Sequence, residues 1–250
     1  MKIKMFQEKW HEIYFKDIDL KLSITKKADL NFFNKFYEKF FLKYNNFEDL
    51  NSNWLKNKKK TAQAISQIID NGYEILSYGC GIGYIEQELY HCRKHLKIDC
   101  YDFIKESSKW LEKSQSITTI SSLNNLKKYD VILLVQVIYA LEDQEILETL
   151  NKLKKYLKPS GKIIAVNSSI YNHENETKKN TFLFKQFIKL LKDFLRPFYL
   201  KILRKKNVQF WGYERGNQTY KKLFSKADFI IKENFVAANQ SFQTFMLKDK

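Results

Sequence analysis

Three glycines at alternate positions constrain this chain more than any other feature of its sequence. Gly79, Gly81 and Gly83 lie within residues 74–89, although the 250-residue chain contains only seven glycines. A short apolar run, 75–78, precedes them and a helical pattern follows. Glycines between a strand and a helix let the backbone approach a ligand closely, and the helix N-terminus presents free N–H groups to it. The stretch therefore predicts a nucleotide-type binding site at the tip of a strand.

Short apolar runs alternate with helical patterns from residue 73 onward. The run 129–138, YDVILLVQVI, is almost continuously apolar, as expected of a central parallel strand that is covered on both faces. The segment 103–114 is predicted to be a helix, and 143–161 a helix that ends at Pro-Ser-Gly. Strands that alternate with helices predict right-handed βαβ units and a parallel sheet.

Composition and charge narrow the class of protein. Hydrophobic residues make up 44% of the chain, enough for a packed core. Cys80, Cys92 and Cys100 form no C-x-x-C pair, so neither a zinc site nor a disulfide framework is suggested, which fits a reducing cytosol. No uncharged apolar run approaches ~18 residues, so no membrane-spanning helix is predicted. The net charge of +16 favours anionic partners, although a lysine-rich, solvated surface explains it equally well.

The glycine spacing resembles the first motif of a known enzyme family. ILSYGCGIG has the G-x-G-x-G form, and Asp102 follows nineteen residues after the last glycine. This pattern resembles the class I S-adenosylmethionine-dependent methyltransferases, over roughly residues 73–166 and less securely over 219–247. The resemblance implies an α/β fold with a Rossmann-like, seven-stranded, mostly parallel sheet and helices on both faces. It also implies S-adenosyl-L-methionine as the cofactor.

The resemblance also implies roles for individual residues. In the family, the acid at the end of the second strand accepts hydrogen bonds from the ribose hydroxyls, and Asp102 matches that position. A carboxylate suits this role because it only accepts hydrogen bonds. Phe103 falls where an apolar residue packs on adenine. The predicted cofactor-binding set is Ser77, Gly79, Cys80, Gly81, Gly83, Asp102, Phe103, Ser121, Ser122 and Gln136.

Two positions depart from the family pattern. An acidic residue usually stands two before the first glycine, near the cationic end of the cofactor, and here Ser77 occupies that position. Cofactor affinity is then expected to be lower, unless another acid such as Glu86 substitutes. Many family members that act on small molecules carry a histidine shortly after the fourth strand, where this chain has Tyr139.

Candidates for acceptor chemistry lie outside the motif. His173, just beyond the predicted fifth strand, is the preferred general base, and Glu174 is its rival. Aromatic residues beside a fixed cation suit a ring that carries an anionic group. The predicted acceptor-binding residues are His11, Tyr139, Trp211, Tyr213 and Arg215.

Four segments are predicted: a helical lid over 1–70, the cofactor-binding core over 71–170, a helical insert over 171–217, and the rest of the sheet over 218–250. Residues 178–206 contain ten Lys or Arg and one acid, a net charge of +9. This basic amphipathic stretch has three open interpretations: a lid or dimer contact, contact with an anionic membrane surface, or nucleic-acid binding.

The leading hypothesis is a cytoplasmic methyltransferase, with a location at the inner face of a membrane left open. Its predicted reaction is O-methylation of a small-molecule or glycan-type acceptor, specifically a sugar or phosphorylated saccharide in surface-polysaccharide biosynthesis. Two alternatives remain. An RNA methyltransferase is supported by charge alone, and a non-catalytic binding module is suggested by Ser77 and the missing histidine.

Overall fold

The computed structural model describes residues 2–111, 116–124, 127–168, 207–237 and 240–247. Three predictions lie outside the described residues: the base candidates His173 and Glu174, and the basic segment 178–206.

The N-terminal region begins with strands, which corrects the prediction of a helical lid over 1–70. The elements in chain order are β1 (Lys2–Gln7), β2 (Lys9–Trp10), β3 (Ile13–Tyr14), α1 (Leu30–Lys43) and α2 (Ser52–Ser66). Charged and apolar residues alternate along β1, from Lys2 to Met5, a period of two that suits a half-buried strand. Asp29 begins α1 by accepting a hydrogen bond from the Phe32 N–H.

The remaining elements build the predicted α/β core. They are β4 (Glu74–Tyr78), α3 (Tyr84–Cys92), β5 (Lys97–Tyr101), β6 (Ile117–Ile120), β7 (Tyr129–Val135), α4 (Asp143–Lys154), β8 (Leu157–Ser168), β9 (Gln209–Arg215), α5 (Asn217–Lys226), β10 (Phe229–Ala237) and β11 (Gln240–Leu247). Seven strands form one sheet in the order β10-β11-β8-β7-β4-β5-β6. The five strands from β8 to β6 are parallel, and β11 is antiparallel to both of its neighbours.

Helices cover both faces of this sheet, as predicted. Along β7, Ile132 and Leu134 pack with residues of α4 and α5, while Val131 and Leu133 pack with residues of α2 and α3. All four side chains are fully buried, which is why this strand is apolar on both faces. Because α2 packs on the sheet, the last helix of the predicted lid belongs to the core.

Two local predictions were wrong. The described part, 103–111, of the segment predicted as a helix over 103–114 contains a single 3₁₀ turn, Lys105–Ser108. The Pro-Ser-Gly sequence that was predicted to end a helix lies inside β8 instead. Tyr129 pairs with Leu157 and Val131 pairs with Lys162, so the residues between Leu157 and Lys162 bulge out of the ladder.

An aromatic cap lies over the carboxyl ends of the parallel strands. We define it as the N-terminal segment 2–50 together with β9, which pairs antiparallel with β1. Phe15, Phe36 and Phe40 are fully buried there, in a cluster that also contains Ile82 and Trp211. The cap therefore packs against the glycine-rich turn. Within the described residues, every helix is too short or too polar to cross a membrane.

Candidate active site

A cavity of about 590 Å³ lies between the carboxyl ends of β4, β5 and β7 and the aromatic cap. Its lower wall contains Gly79, Gly81 and Asp102, and its upper wall contains Trp10 of the cap and Trp54 from the first turn of α2. The carboxyl edge of a doubly wound parallel sheet is where such folds bind ligands. The sheet and the cap therefore meet at the place predicted for the site.

The glycine turn forms part of the cavity wall and needs residues without side chains. Gly81 has φ +56°, and the nearest heavy atom to an added Cβ there would be the Tyr37 hydroxyl at 3.6 Å. Gly79 has φ +78°, and an added Cβ would lie 2.6 Å from Val137 Cγ2. Its N–H donates to the Tyr101 carbonyl at 2.7 Å, which ties the turn to β5. The left-handed backbone and the close approach to Val137 explain why glycine is required.

Asp102 connects the glycine turn to the end of β5. Its Oδ2 accepts from the Gly81 N–H at 2.8 Å, and its Oδ1 accepts from the Ile104 N–H at 2.9 Å. Burial raises the pKa of Asp102, while the backbone donors partly oppose that rise. Each carboxylate oxygen retains a further lone pair. The carboxylate is thus held on the wall with acceptor capacity left for a ligand.

A second carboxylate, Glu86 of α3, also lies on the cavity wall. Its Oε1 accepts a hydrogen bond of 2.5 Å from the Ser77 hydroxyl. Burial raises the pKa of Glu86 to about 7, although the Ser77 bond and the charge of Lys58 act in the opposite direction. Burial also lowers the pKa of Lys58, which lines the same cavity, to about 8. The carboxylate of Glu86 therefore lies beside Ser77, the position at which the family usually has an acidic residue.

The turn after β7 supplies another part of the wall. Gln136 has φ +56°, and its N–H donates to the Val166 carbonyl at 2.8 Å. A left-handed residue that is not glycine is uncommon, and such strain concentrates at functional sites. Tyr139 follows in a 3₁₀ turn, and burial raises the pKa of its phenol to about 12. Tyr139 is therefore neutral at physiological pH.

The upper wall is aromatic and contains His11. The His11 ring centroid lies 4.9 Å from that of Trp54 and 5.1 Å from that of Phe40. Burial, together with the charge of Lys58, lowers the pKa of His11 to about 4. The imidazole is therefore neutral at pH 7. Trp211 of β9 reaches the same wall, with its ring centroid 5.4 Å from that of Trp10.

A family model described as a methyltransferase domain matches residues 47–230. The chain belongs to the methyltransferase-domain family. This match confirms the resemblance inferred from the glycine motif, the enzyme class and S-adenosylmethionine as the cofactor. A comparison with curated protein sequences gives no significant match.

Solved structures share the fold of this methyltransferase domain. CalO1, a methyltransferase in calicheamicin biosynthesis in its SAH-bound form, is 12% identical, with a TM-score of 0.59 over 88% of this chain and 59% of its own. The mitomycin 7-O-methyltransferase MmcR is 13% identical, with a TM-score of 0.57 over 87% and 57%. The pyocyanin biosynthetic protein PhzM is 12% identical, with a TM-score of 0.57 over 76% and 55%. This chain thus spans little more than half the length of these structures.

Most of the predicted site residues of the methyltransferase domain meet at one cavity. The predicted residues on its wall are Gly79, Cys80, Gly81, Asp102, Phe103, Gln136, His11, Tyr139 and Trp211. Ser77 lies behind the wall, where it contacts Glu86. Gly83 faces Leu111, and Ser121 and Ser122 are exposed beyond β6, so these three do not line the cavity.

The structure corrects the prediction that Arg215 and Tyr213 face the acceptor. The Arg215 side chain is fully buried and donates to Asp143 Oδ1 at 2.7 Å and to the carbonyl oxygens of Ile138 and Leu141. Tyr213 packs with Phe6, Val208 and Phe210 in a separate cluster. Arg215 therefore anchors the cap to the turn before α4. Its burial reflects strand pairing that the local sequence does not show.

Sequence reasoning missed several residues of the upper wall, namely Trp10, Phe33, Tyr37, Trp54 and Lys58. Phe33 belonged to an aromatic stripe that is typical of ordinary helix packing. Lys58 is the first of three consecutive lysines, and nothing in the sequence distinguishes it from the next two.

Proposed function

We propose that this methyltransferase domain transfers a methyl group from S-adenosylmethionine to an oxygen atom of a small, ring-shaped acceptor that carries an anionic group. The predicted sugar or phosphorylated saccharide, from cytoplasmic surface-polysaccharide synthesis, is one acceptor of this kind. The observation that carries the proposal is the two-sided cavity. Its lower wall has the glycine turn and Asp102, and its upper wall has aromatic rings and Lys58.

The residues present fit the cofactor. A side chain at Gly81 would extend toward the Tyr37 hydroxyl, and both residues line the cavity. The glycine therefore leaves room for a ligand. Asp102 retains lone pairs for hydroxyl donors. Among the described residues, Glu86 Oε2 is buried and has no hydrogen-bond partner. These groups match a ligand that brings both hydroxyls and positive charge.

When bound, S-adenosylmethionine supplies an electrophilic methyl group. The residues of this chain align the acceptor and exclude water. The glycine turn and Asp102 define one end of the cavity, while Trp10, Trp54 and Trp211 form a rigid apolar surface at the other. Orientation of this kind contributes several kcal/mol to displacement reactions.

The titratable side chains described on the upper wall and after β7 favour an acceptor that is already an anion and has no proton to lose. At a pKa of about 4, His11 is a weak base, and at about 12 Tyr139 stays protonated. A carboxylate, phosphate or phenolate needs no base, and the charge of Lys58 attracts it. His173 and Glu174 stay predicted bases, because they lie outside the described residues.

The alternatives have less support. The case for a non-catalytic module rested on Ser77 and the missing histidine, and Glu86 places a carboxylate beside Ser77. RNA methylation rests on net charge alone, and membrane or dimer contacts through 178–206 rest on the basic amphipathic pattern of that segment, so all of these stay predictions.

Methyl transfer can be tested directly. The full chain would be incubated with isotope-labelled S-adenosylmethionine and three separate pools: phosphorylated and acidic sugars, hydroxylated aromatic acids, and bulk RNA. Mass spectrometry would identify what gains the label. We expect label in an anionic ring compound and none with an Asp102→Ala variant. Label confined to RNA, or equal labelling with the variant, would refute the proposal.

A further inference from the structure

Glu86 combines features that do not suit a purely structural residue. Its side chain is 2% exposed, yet it lines the cavity. One oxygen is bonded to Ser77, and the other is buried without a hydrogen-bond partner among the described residues. An unsatisfied buried carboxylate oxygen costs free energy. Such a cost is retained where a ligand supplies the missing partner.

The surroundings of Glu86 hold it in place but leave its charge poorly balanced. Lys58 of α2 supplies the opposing charge, while Asp102 at the end of β5 adds a second negative charge. The thiols of Cys80 and Cys100 lie nearby and hydrogen-bond to each other. That bond and burial raise the pKa of Cys100, whereas for Cys80 the bond lowers the pKa and burial with the nearby negative charges raises it overall. His11 lies beyond Lys58 and is neutral. The surroundings of Glu86 thus combine two carboxylates with one partly exposed lysine, and the excess of negative charge attracts a cation.

Resting on the proposed function, we infer that Glu86, positioned by Ser77, binds the cationic end of S-adenosylmethionine. The acid expected on β4 is thereby supplied from α3, across the glycine turn. An ionised acid at position 77 could not donate this hydrogen bond and would repel the Glu86 carboxylate, so a hydroxyl suits the strand position while Glu86 is present. The two positions form an exchangeable pair that together provides one acid.

Calorimetric titration with three nucleosides tests this inference. S-adenosylmethionine carries a sulfonium and an ammonium group, S-adenosylhomocysteine carries only the ammonium, and 5′-methylthioadenosine carries neither. We expect Glu86→Gln, which keeps the shape and the bond to Ser77, to weaken S-adenosylmethionine binding at least tenfold while methylthioadenosine binding stays within twofold. If Glu86→Gln also binds S-adenosylhomocysteine more weakly, Glu86 contacts the ammonium group. If the affinity for S-adenosylhomocysteine is unchanged, Glu86 contacts the sulfonium.

A charge-relocation variant provides the rescue. The double variant Ser77→Asp, Glu86→Gln returns the acid to β4, where the amide of the new glutamine can donate to it. We expect its affinity for S-adenosylmethionine to return to within about threefold of the wild type. Glu88→Gln is the matched control, because Glu88 is similarly buried on the same helix but pairs with Lys59 away from the cavity. We expect no change there beyond twofold.

Three outcomes would overturn the inference while the proposed function survives. These are wild-type affinity in Glu86→Gln, equal loss for all three nucleosides, or slower turnover at unchanged affinity, which would make Glu86 a base. If instead the wild-type chain binds no S-adenosylmethionine, the proposed function itself fails. Thermal unfolding of each variant confirms that binding is compared between folded proteins.

Discussion

The lower and upper walls of the cavity are built in different ways. Most of the lower wall comes from one continuous stretch, in which β4, the glycine turn, α3 and β5 follow each other within residues 74–102, and the turn after β7 adds Gln136. The upper wall joins segments about 200 residues apart, because β1 pairs with β9 and Lys2 lies opposite Arg215. The lower wall, which is the proposed cofactor side, therefore depends on local sequence, whereas the upper wall, which is the proposed acceptor side, depends on long-range packing.

The two walls also offer a ligand different kinds of contact. The lower wall uses backbone N–H groups and carboxylates, which a strand–turn–helix unit positions by itself. The upper wall uses the faces of aromatic rings, which orient a ligand through shape and contact area. Changes in the cap are thus expected to alter acceptor use and stability, while changes near the glycine turn alter cofactor binding.

The largest effect is expected at the anchor of the cap. Arg215→Ala should lower the free energy of unfolding by about 2–4 kcal/mol, because it leaves the carbonyl oxygens of Ile138 and Leu141 without their buried donor. The bond to Asp143 contributes less, because the Asp143 side chain is 45% exposed and still pairs with Lys2. Lys2→Ala is the matched control. Lys2 pairs with the same Asp143 at 3.2 Å but is partly exposed, so a loss below about 1 kcal/mol is expected. Urea unfolding measures both. A stable Arg215→Ala variant with weakened acceptor binding would restore the acceptor role predicted from the sequence.

The strongest effect on the cofactor wall is expected at Asp102. Asp102→Ala removes the acceptor of the Gly81 and Ile104 N–H groups together with the predicted ribose contact. Because hydrogen bonds to charged groups contribute about 1.5–3 kcal/mol, we expect S-adenosylmethionine affinity to fall about a hundredfold. Calorimetry measures this loss, and Asp102→Asn, which keeps one acceptor oxygen, should lose less. Equal affinity of the wild type and Asp102→Ala for S-adenosylmethionine would show that Asp102 does not bind the cofactor.

The sheet, the glycine turn and Asp102 were predictable because their signals are local and periodic. The region of β1 was predicted to be helical, because the alternation of Lys2, Ile3, Lys4 and Met5 is too short to indicate a strand without its partner β9. The burial of Arg215 and the position of Lys58 follow only from contacts between distant segments. The Glu86 contact with Ser77 bridges nine positions across the turn, and only the fold shows that the two side chains meet.

A smaller effect concerns stability against pH at Glu86. Its folded-state pKa of about 7 lies above the ordinary value of 4.5. Its stabilising contribution is therefore complete below about pH 4.5 and is lost as pH rises through 7. Glu86→Gln should unfold at a higher temperature than the wild type at pH 8, with the difference shrinking toward pH 5. Parallel pH profiles for the two proteins would show that Glu86 is not held in a buried, desolvated state.

The smallest effect is expected at His11 in the upper wall. His11→Asn keeps a residue that tolerates the φ of +46° but removes the ring contacts with Trp54 and Phe40. These pairs, which contribute about 0.5–1.5 kcal/mol each, hold the Trp54 and Phe40 rings in place, so we expect a less well ordered upper wall and a several-fold rise in the acceptor KM. Cofactor affinity should not change. Weakened cofactor binding with unaltered acceptor KM would contradict the division between the two walls.

The most direct test of the central claim is a crystal structure of the chain soaked with S-adenosylhomocysteine. We predict ligand density against the glycine turn at Gly81 with its sugar beside Asp102, and open space beneath Trp10 and Trp54 for an acceptor. Density at another site, or a closed cavity that excludes the nucleoside, would contradict the account.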